Sequence, residues 1–411
     1  MSRTTCFLRA DSTRLRAELT RVNKWLTRVN CDGRAWLLAQ NSGTSARDGL
    51  HPGSAEEAPV RSHSTLTMQS VAEASGLSRF TVSKVLNGTP GVSDATRARV
   101  TRACEKLNFV VNQHAASLAR GATQLMGVVV TSIVDPFYGE IIDTAERTAA
   151  SLGYDLAYRC SYGDPEKERG IARAFLGLKA RAIVVSPAST DENLDFWRSL
   201  ASQIPVVFID HSVVDWSHVV MTDHLRGARL VTEHLLQRRV APVYLGSSHP
   251  LRNEAIAARL NGYTEAMAAA GKQPKVVPTD GLAALGDTER FGFEAMSRYL
   301  AARGARGIRG LCCATDAIAL GAMKALLDVG LRPGIDVLVA GHDDLPFSAF
   351  LNPPLTTVRQ PKVAIGKQCI EAAVRLSSAK DFRRVPKIRE ILAPELVIRE
   401  STTPKARVKA R

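Results

Sequence analysis

The chain predicts a small all-helical domain joined to a two-lobed α/β core, with parallel sheets covered by helices on both faces. Three observations predict it. Between residues 65 and 123, short helical patterns alternate with tight breaks at Gly76 and Asn87-Gly88. Beyond Gln124, near-continuous apolar runs of strand length alternate with amphipathic segments, the pattern of strands buried on both faces. The length, 411 residues, exceeds what one hydrophobic core holds.

In the helical part, Thr67 is placed to cap a helix over Met68–Ser75, and Gly76 ends it where a left-handed residue is wanted. Ser78 caps a second helix over Arg79–Leu86, closed by Asn87-Gly88. Ser93 caps a third over Asp94–Leu107, where Ala95, Val100, Ala103, Cys104 and Leu107 recur at helical spacing. Val71, Ala72, Leu77, Val82, Val85 and Leu86 supply the interior. Arg79, Phe80, Thr81, Ser83 and Lys84 form an outward face at the start of the second helix, a face suited to the major groove of DNA. A generic three-helix core is the alternative.

In the α/β part, the strand candidates are 125–131, 155–158, 182–186, 206–210, 219–222, 243–246, 311–314 and 337–341. Helices such as 138–152, 225–236, 256–270 and 317–329 fit between them. Ligands of open parallel sheets bind beyond the carboxyl ends of the strands. That rule gathers Thr131, Asp210, Asp223, Thr315, Asp316 and Asp343 around one cleft.

Composition narrows the class. Hydrophobic residues make up 45% of the chain, yet no apolar run reaches the ~18 residues that would span a bilayer. The arginines of the first ten residues are not followed by an apolar stretch, so no secretory signal is expected and a soluble, cytoplasmic protein is. The seven cysteines are scattered with no C-x-x-C or metal spacing. A formal charge of +14 points to an acidic partner, usually nucleic acid. There is no G-x-S-x-G, no phosphate-binding G-x-x-x-x-G-K-[ST] loop, no H-E-x-x-H, and no G-x-G-x-x-G after the first strand. No catalytic residue, cofactor or metal is therefore expected. Residues 1–64 stand apart: Asn41–Ser64 is rich in Ser, Gly, Pro and Ala and too poor in large apolar residues to order itself. A dispensable low-order extension is the favoured reading, over a basic arm or a small unrecognised element.

The ordered motifs carry a resemblance. V-A-x-x-[AS]-G-[VL]-S at Val71–Ser78, T-V-S-[RK]-V-L-N-G at Thr81–Gly88 and V-S-x-x-T-R at Val92–Arg97 are similar to the LacI/GalR family of bacterial repressors. So are Asn112–Ala119 as a hinge helix, Asp135-Pro-Phe-Tyr138, Gly227-Ala228, Glu233-His-Leu235, Arg259-Leu-Asn-Gly262, Asp316 with Ala319–Ala322, Gly341-His-Asp-Asp344 and Leu355–Pro361. The resemblance spans about Thr65 to Ser401.

It implies a transcriptional repressor that binds a pseudo-palindromic operator as a homodimer and answers to a small-molecule effector, a sugar or related metabolite. The domains are then 1–64, extension; 65–110, helix-turn-helix; 111–123, hinge helix and linker; 124–401, a core like the periplasmic binding proteins; and 402–411, a basic tail. The implied DNA-contacting set is Thr67, Ser78, Arg79, Phe80, Thr81, Ser83, Lys84 and Asn87, with Asn112, Ala115 and Leu118 in the hinge. Arg79, Phe80 and Lys84 read bases; Phe80 would favour a thymine methyl, unless it packs on the neighbouring helix. Leu118 matches the leucine that wedges into the minor groove. The implied effector set is Thr131, Asp135, Phe137, Tyr138, Asp210, Arg259, Thr315, Asp316 and Asp343, a mixture suited to polyols, sugars or acid-bearing metabolites. Two departures matter: the family's Asp-Asn reads Asp223-His224, and its Asn-Asp reads Thr315-Asp316. A structural histidine at a helix start is the favoured reading of His224. No heptad run follows the core, so a dimer is expected. The rival readings are a sugar-binding protein of the periplasmic type and an α/β enzyme.

Overall fold

The computed structural model describes residues 66–86, 88–109, 123–189, 192–211, 216–247, 254–280, 282, 288–304 and 308–403. The expectations for the extension, for Asn87, for Asn112, Ala115 and Leu118 of the hinge, and for the tail past residue 403 lie outside the described residues.

Three helices make the head: α1 (Met68–Ser75), α2 (Arg79–Leu86) and α3 (Asp94–Leu107). Each begins on a side-chain cap. Thr67 and Ser70 form a reciprocal capping box. Ser78 Oγ accepts from the Thr81 amide at 3.1 Å, and Ser93 Oγ from the Thr96 amide at 3.3 Å. The turn between α1 and α2 requires Gly76, whose φ of +62° is left-handed and whose amide bonds back to Ala72 and Glu73. Arg99 of α3 donates from Nη2 to the Ser75 carbonyl at 2.7 Å, satisfying an orphan acceptor and tying α3 to the turn. Val71, Ala72, Val82, Val85, Val100 and Ala103 are buried between the helices, with Leu77, Leu86 and Phe109 packed at the edge.

The first lobe opens with β1 (Leu125–Val130), α4 (Pro136–Ser151), β2 (Asp155–Cys160), α5 (Pro165–Gly177), β3 (Ala182–Val185), α6 (Leu194–Leu200), β4 (Val206–Ile209) and β5 (His218–Thr222). The second lobe follows with α7 (His224–Gln237), β6 (Val243–Leu245), α8 (Glu254–Ala269), α9 (Thr288–Arg303), β7 (Gly310–Cys313), α10 (Asp316–Asp328) and β8 (Leu338–Ala340). After a 3-10 turn at Pro346–Ala349 come β9 (Thr357–Arg359), α11 (Lys362–Ser377), a second 3-10 turn at Phe382–Arg384, β10 (Arg389–Leu392) and β11 (Glu395–Val397).

The six-stranded sheet has the order β10-β5-β4-β3-β1-β2, and every pair is parallel. Its two faces follow from strand alternation. Met126, Val128 and Val130 face α4 and α11, whereas Val129 faces Ile171 and Phe175 of α5 and Trp197 of α6. The second lobe holds a parallel sheet β6-β7-β8 around Tyr244, Leu245, Leu311 and Val339. Because α11 and β10 return to the first lobe, the chain changes lobe three times: between β5 and α7, between β8 and α11, and between β10 and β11. The antiparallel pair β9-β11 lies in these crossings. β9, β10 and β11 were not among the expected strands; at three or four residues each, they carry too little alternation to be read locally. Among the described residues no helix is long and apolar enough to cross a membrane.

Candidate functional site

On the head, burial of Val82 and Val85 turns the opposite side of α2 outward. Arg79 and Lys84 are exposed, and Phe80 is 69% exposed. The Lys84 ammonium sits 4.8 Å from the Phe80 ring centroid, so the ring is steadied by its own helix and does not pack on a neighbouring one. Thr81 and Ser83 are half-buried beside it. The Thr67 and Ser78 hydroxyls are engaged as caps, at helix ends whose free amides favour anions.

In the core, the crossings meet in a closed ring of buried polar groups. Asp210 ends β4, Thr222 ends β5, His224 starts α7, Arg259 lies on α8, Asp343 follows β8, and Gln360 precedes α11. The Thr222 amide donates to Asp210 Oδ1 at 3.1 Å. His224 Nε2 lies 3.2 Å from the same oxygen, an electrostatic contact whose angle falls short of a hydrogen bond. On its other side, the Arg259 guanidinium donates to His224 Nδ1 at 3.4 Å, to the Ala314 carbonyl at 2.7 Å, and reaches Asp343 Oδ1 at 3.2 Å. Gln360 closes the ring: its amide donates to Asp343 Oδ1 and its carbonyl accepts from Thr222 Oγ1, both at 2.6 Å. Arg259 is always a donor, so His224 Nδ1 is the acceptor and the imidazole proton resides on Nε2.

The backbone at this place is strained. Asp210, Asp343 and Asp344 all have left-handed φ, at 53°, 114° and 48°. Such residues persist only where surroundings over-determine them, and each costs about 1–3 kcal/mol. Here the surroundings are visible. Lys362 donates to the carbonyls of Asp343 and Asp344, each at 3.1 Å, and pairs with Glu140 at 3.0 Å. Arg359 and Arg399 each hold the Asp344 carboxylate at 2.7 Å.

Burial dominates the electrostatics. It holds the His224 and His342 imidazoles below their ordinary range, and Asp210 only partly offsets it at His224. It lowers His211 to about 4. It raises the Asp343 carboxyl in spite of Arg259. Asp135 also titrates high through burial, with Arg259, Glu289 and Lys362 as the charges acting on it, so its carboxylate shares their space.

The structure thus brings Asp210, Arg259 and Asp343 together, with Asp135 in range. Tyr138 donates to or accepts from Ser186 at 2.8 Å at the carboxyl end of β3, near Thr131. Thr315 caps α10 through Ile318. Two expected effector residues are placed elsewhere. Phe137 is buried in the core between α4, α11 and the sheet, because it lies on the inward face of α4. Asp316 is fully buried and accepts from the Leu345 amide, Ser348 and Thr357 at 2.9, 2.7 and 2.5 Å, a structural carboxylate. A side chain on Gly341 would collide with that carboxylate, which is why Gly opens the Gly-His-Asp-Asp run. Thr222, Gln360 and Lys362 were missed. Gln360 sits inside a motif that sequence reading marks, but nothing local tells that its side chain turns inward.

Comparison with known proteins agrees with this geometry. Residues 67–112 match the model of the bacterial regulatory proteins, lacI family, and residues 232–402 match the periplasmic binding protein-like domain. The HTH-type transcriptional regulator GalR of Escherichia coli K12 is 32% identical over 340 residues, covering 82% of this chain and 96% of that protein. The chain belongs to the lacI family of bacterial regulatory proteins. The ribose operon repressor of the same organism is 30% identical over 313 residues, covering 75% of this chain and 92% of its own length. Among solved structures, the lac repressor dimer bound to operator and the anti-inducer ONPF superposes with a TM-score of 0.71 at 27% identity, covering 82% of this chain and 99% of that one. As a member, the chain is a DNA-binding transcriptional regulator under small-molecule control.

The buried histidines make a pH prediction. His211, near 6.5 when unfolded and about 4 when folded, binds its proton more readily in the unfolded chain between those values. Its contribution, about 3 kcal/mol, is present above pH 6.5 and lost as pH falls toward 4. Asp343 and Asp316, raised by burial, act in the opposite sense. The comparison of His211→Asn with the parent isolates the histidine: the variant should lose less stability on acidification across that window. Denaturation midpoints measured against pH check this, and parallel curves would refute it.

Proposed function

We propose that the chain represses transcription in the cytoplasm, without catalysis, by docking the α2 face of two heads on a pseudo-palindromic operator. The head (65–110), hinge (111–123) and core (124–401) would act as separate parts, with Asn87, Asn112, Ala115 and the Leu118 wedge completing the DNA contacts. The effector is a small polyhydroxylated molecule held where the crossings meet. Arg259, Asp210 and Asp343 take its hydroxyls, and Thr131, Asp135, Tyr138 and Thr315 line its approach. The observation that carries this reading is the buried ring through Arg259, since it joins both lobes at the carboxyl ends of their strands. A ligand that replaces contacts of the ring changes how the lobes meet, and only such differential binding shifts a two-state equilibrium.

Charge narrows the ligand. Four carboxyl groups, Asp135, Asp210, Asp343 and Glu289, surround Arg259; burial raises Asp135 and Asp343 toward their neutral form, and Lys362 is spent on carbonyls and Glu140. Neutral sugars are favoured over acid-bearing metabolites, in keeping with a ribose operon repressor among the relatives. The test is operator affinity of the full chain against a panel of neutral hexoses and pentoses, uronic acids and amino sugars. A neutral sugar should shift affinity, and Arg259→Ala should abolish the shift while specific operator binding persists. A panel without effect, or a response that survives Arg259→Ala, would overturn the assignment.

At the head, Phe80 offers a large apolar surface with no hydrogen-bonding atom. Phe80→Gln should change the preferred base at one operator position, worth about 1–3 kcal/mol, with no loss of folding. Selection from a randomised operator pool checks it; the same winning sequence for both proteins would contradict it.

A further inference from the structure

A second recess lies at the opposite end of the first lobe. It has a volume of about 180 Å³ and is bounded by Arg198 and Ser202 of α6, Trp216 and His218 at the start of β5, and Phe382 and Lys387 ahead of β10. These are amino ends of strands, whereas Asp210 and Thr222 of the effector ring stand at the carboxyl ends of the same strands. No residue of the effector ring contributes to it.

Its chemistry is cationic and aromatic. The Arg198 guanidinium lies 5.8 Å from the Trp216 ring centroid, and Trp216 in turn stands edge-on to Phe208 at 5.8 Å. This contact positions Arg198 without neutralising it. Arg383 at the rim is held at 2.8 Å by Asp381, which also faces Arg384, so that nearby carboxylate is already engaged. His218 Nδ1 accepts from the Ile388 amide at 3.2 Å, which leaves the proton on Nε2 as a donor. Arg198, Lys387 and this imidazole line the same recess.

We propose that this recess is a phosphate-recognition site, separate from the effector cleft, that takes a small phosphorylated metabolite as a second regulatory ligand. A guanidinium, an ammonium and an imidazole among the side chains that line one hollow suit the three oxygens of a phosphate monoester. The aromatic walls of Trp216 and Phe382 accept an apolar remainder, and the volume limits the ligand to small molecules. Burial, together with Lys387 and Arg375, lowers His218 to about 4, so both cations act on the imidazole that lines this recess.

Phosphate chemistry could also come from DNA backbone, because β1, where the chain enters this lobe, starts at the same end of the sheet. The experiment separates the sources. Full-length protein is titrated calorimetrically with inorganic phosphate and with glycerol phosphate, and separately with operator over a range of salt. Arg198→Ala and Lys387→Ala, both at exposed positions, should each weaken binding of the two small probes about tenfold. Lys272→Ala, which removes a surface charge from the other lobe, should not. Trp216→Phe should remove the fluorescence change that accompanies binding. If the small probes fail but either alanine variant flattens the salt dependence of operator binding, the phosphate belongs to DNA and the metabolite proposal is overturned. Probe binding unaffected by both alanine variants, or no binding at all with unchanged salt dependence, overturns the site. The sugar panel reads the cleft independently, so neither failure implies the other.

Discussion

The position of one guanidinium organises the core. Arg259 is 5% exposed and spends its donors on His224, Ala314 and Asp343, three groups brought from three separate segments of the chain. A buried charge of this kind is costly unless every donor finds a partner, and removing one partner strands the rest. The neighbouring residues follow from that demand. His224 must present an unprotonated Nδ1, Asp343 must adopt a left-handed backbone to bring its carboxylate round, and Gln360 must bridge Asp343 to Thr222. The lobes are thus joined through directional polar contacts rather than through a shared apolar core. Such a joint has few alternative arrangements, which suits a switch with discrete states.

The head obeys a different economy. Its core is six small or medium apolar side chains, and it depends on caps and one left-handed glycine to define three helices. Every strong apolar side chain of α2 is used inward except Phe80. An exposed phenyl ring on an otherwise polar reading face has a hydration cost of its own, relieved when it meets an apolar group such as a thymine methyl. Lys84 over the ring keeps it in place and adds a positive charge close to where phosphates would pass.

Much of this was legible in the sequence, and for identifiable reasons. Thr67, Gly76, Ser78 and Ser93 announce the ends of α1, α2 and α3 because caps and left-handed turns are local chemistry. The main strands announce themselves through apolar runs that both faces must bury. What sequence could not supply was direction. Asp316 and Asp343 look alike as polar residues after strands, yet one accepts three structural donors and the other faces Arg259. Phe137 and Tyr138 are adjacent, and only helix phase sends the first into the core and the second toward Ser186. Gln360 and Lys362 matter through partners more than a dozen residues away, and β9, β10 and β11 exist only through pairing with distant strands.

The departure at His224 is the most informative single residue. An asparagine side chain would offer a donor and an acceptor regardless of pH; a histidine does so only while neutral and in one tautomer. The joint between the lobes stands on that tautomer. Nitrogen-15 spectra of the full-length protein labelled in its histidines, assigned with His224→Asn, read it directly. At neutral pH, His224 should show a neutral imidazole protonated at Nε2, and it should stay so below pH 6.5, the ordinary histidine value. An imidazolium at neutral pH, or a proton on Nδ1, would contradict a joint built on donation from Arg259.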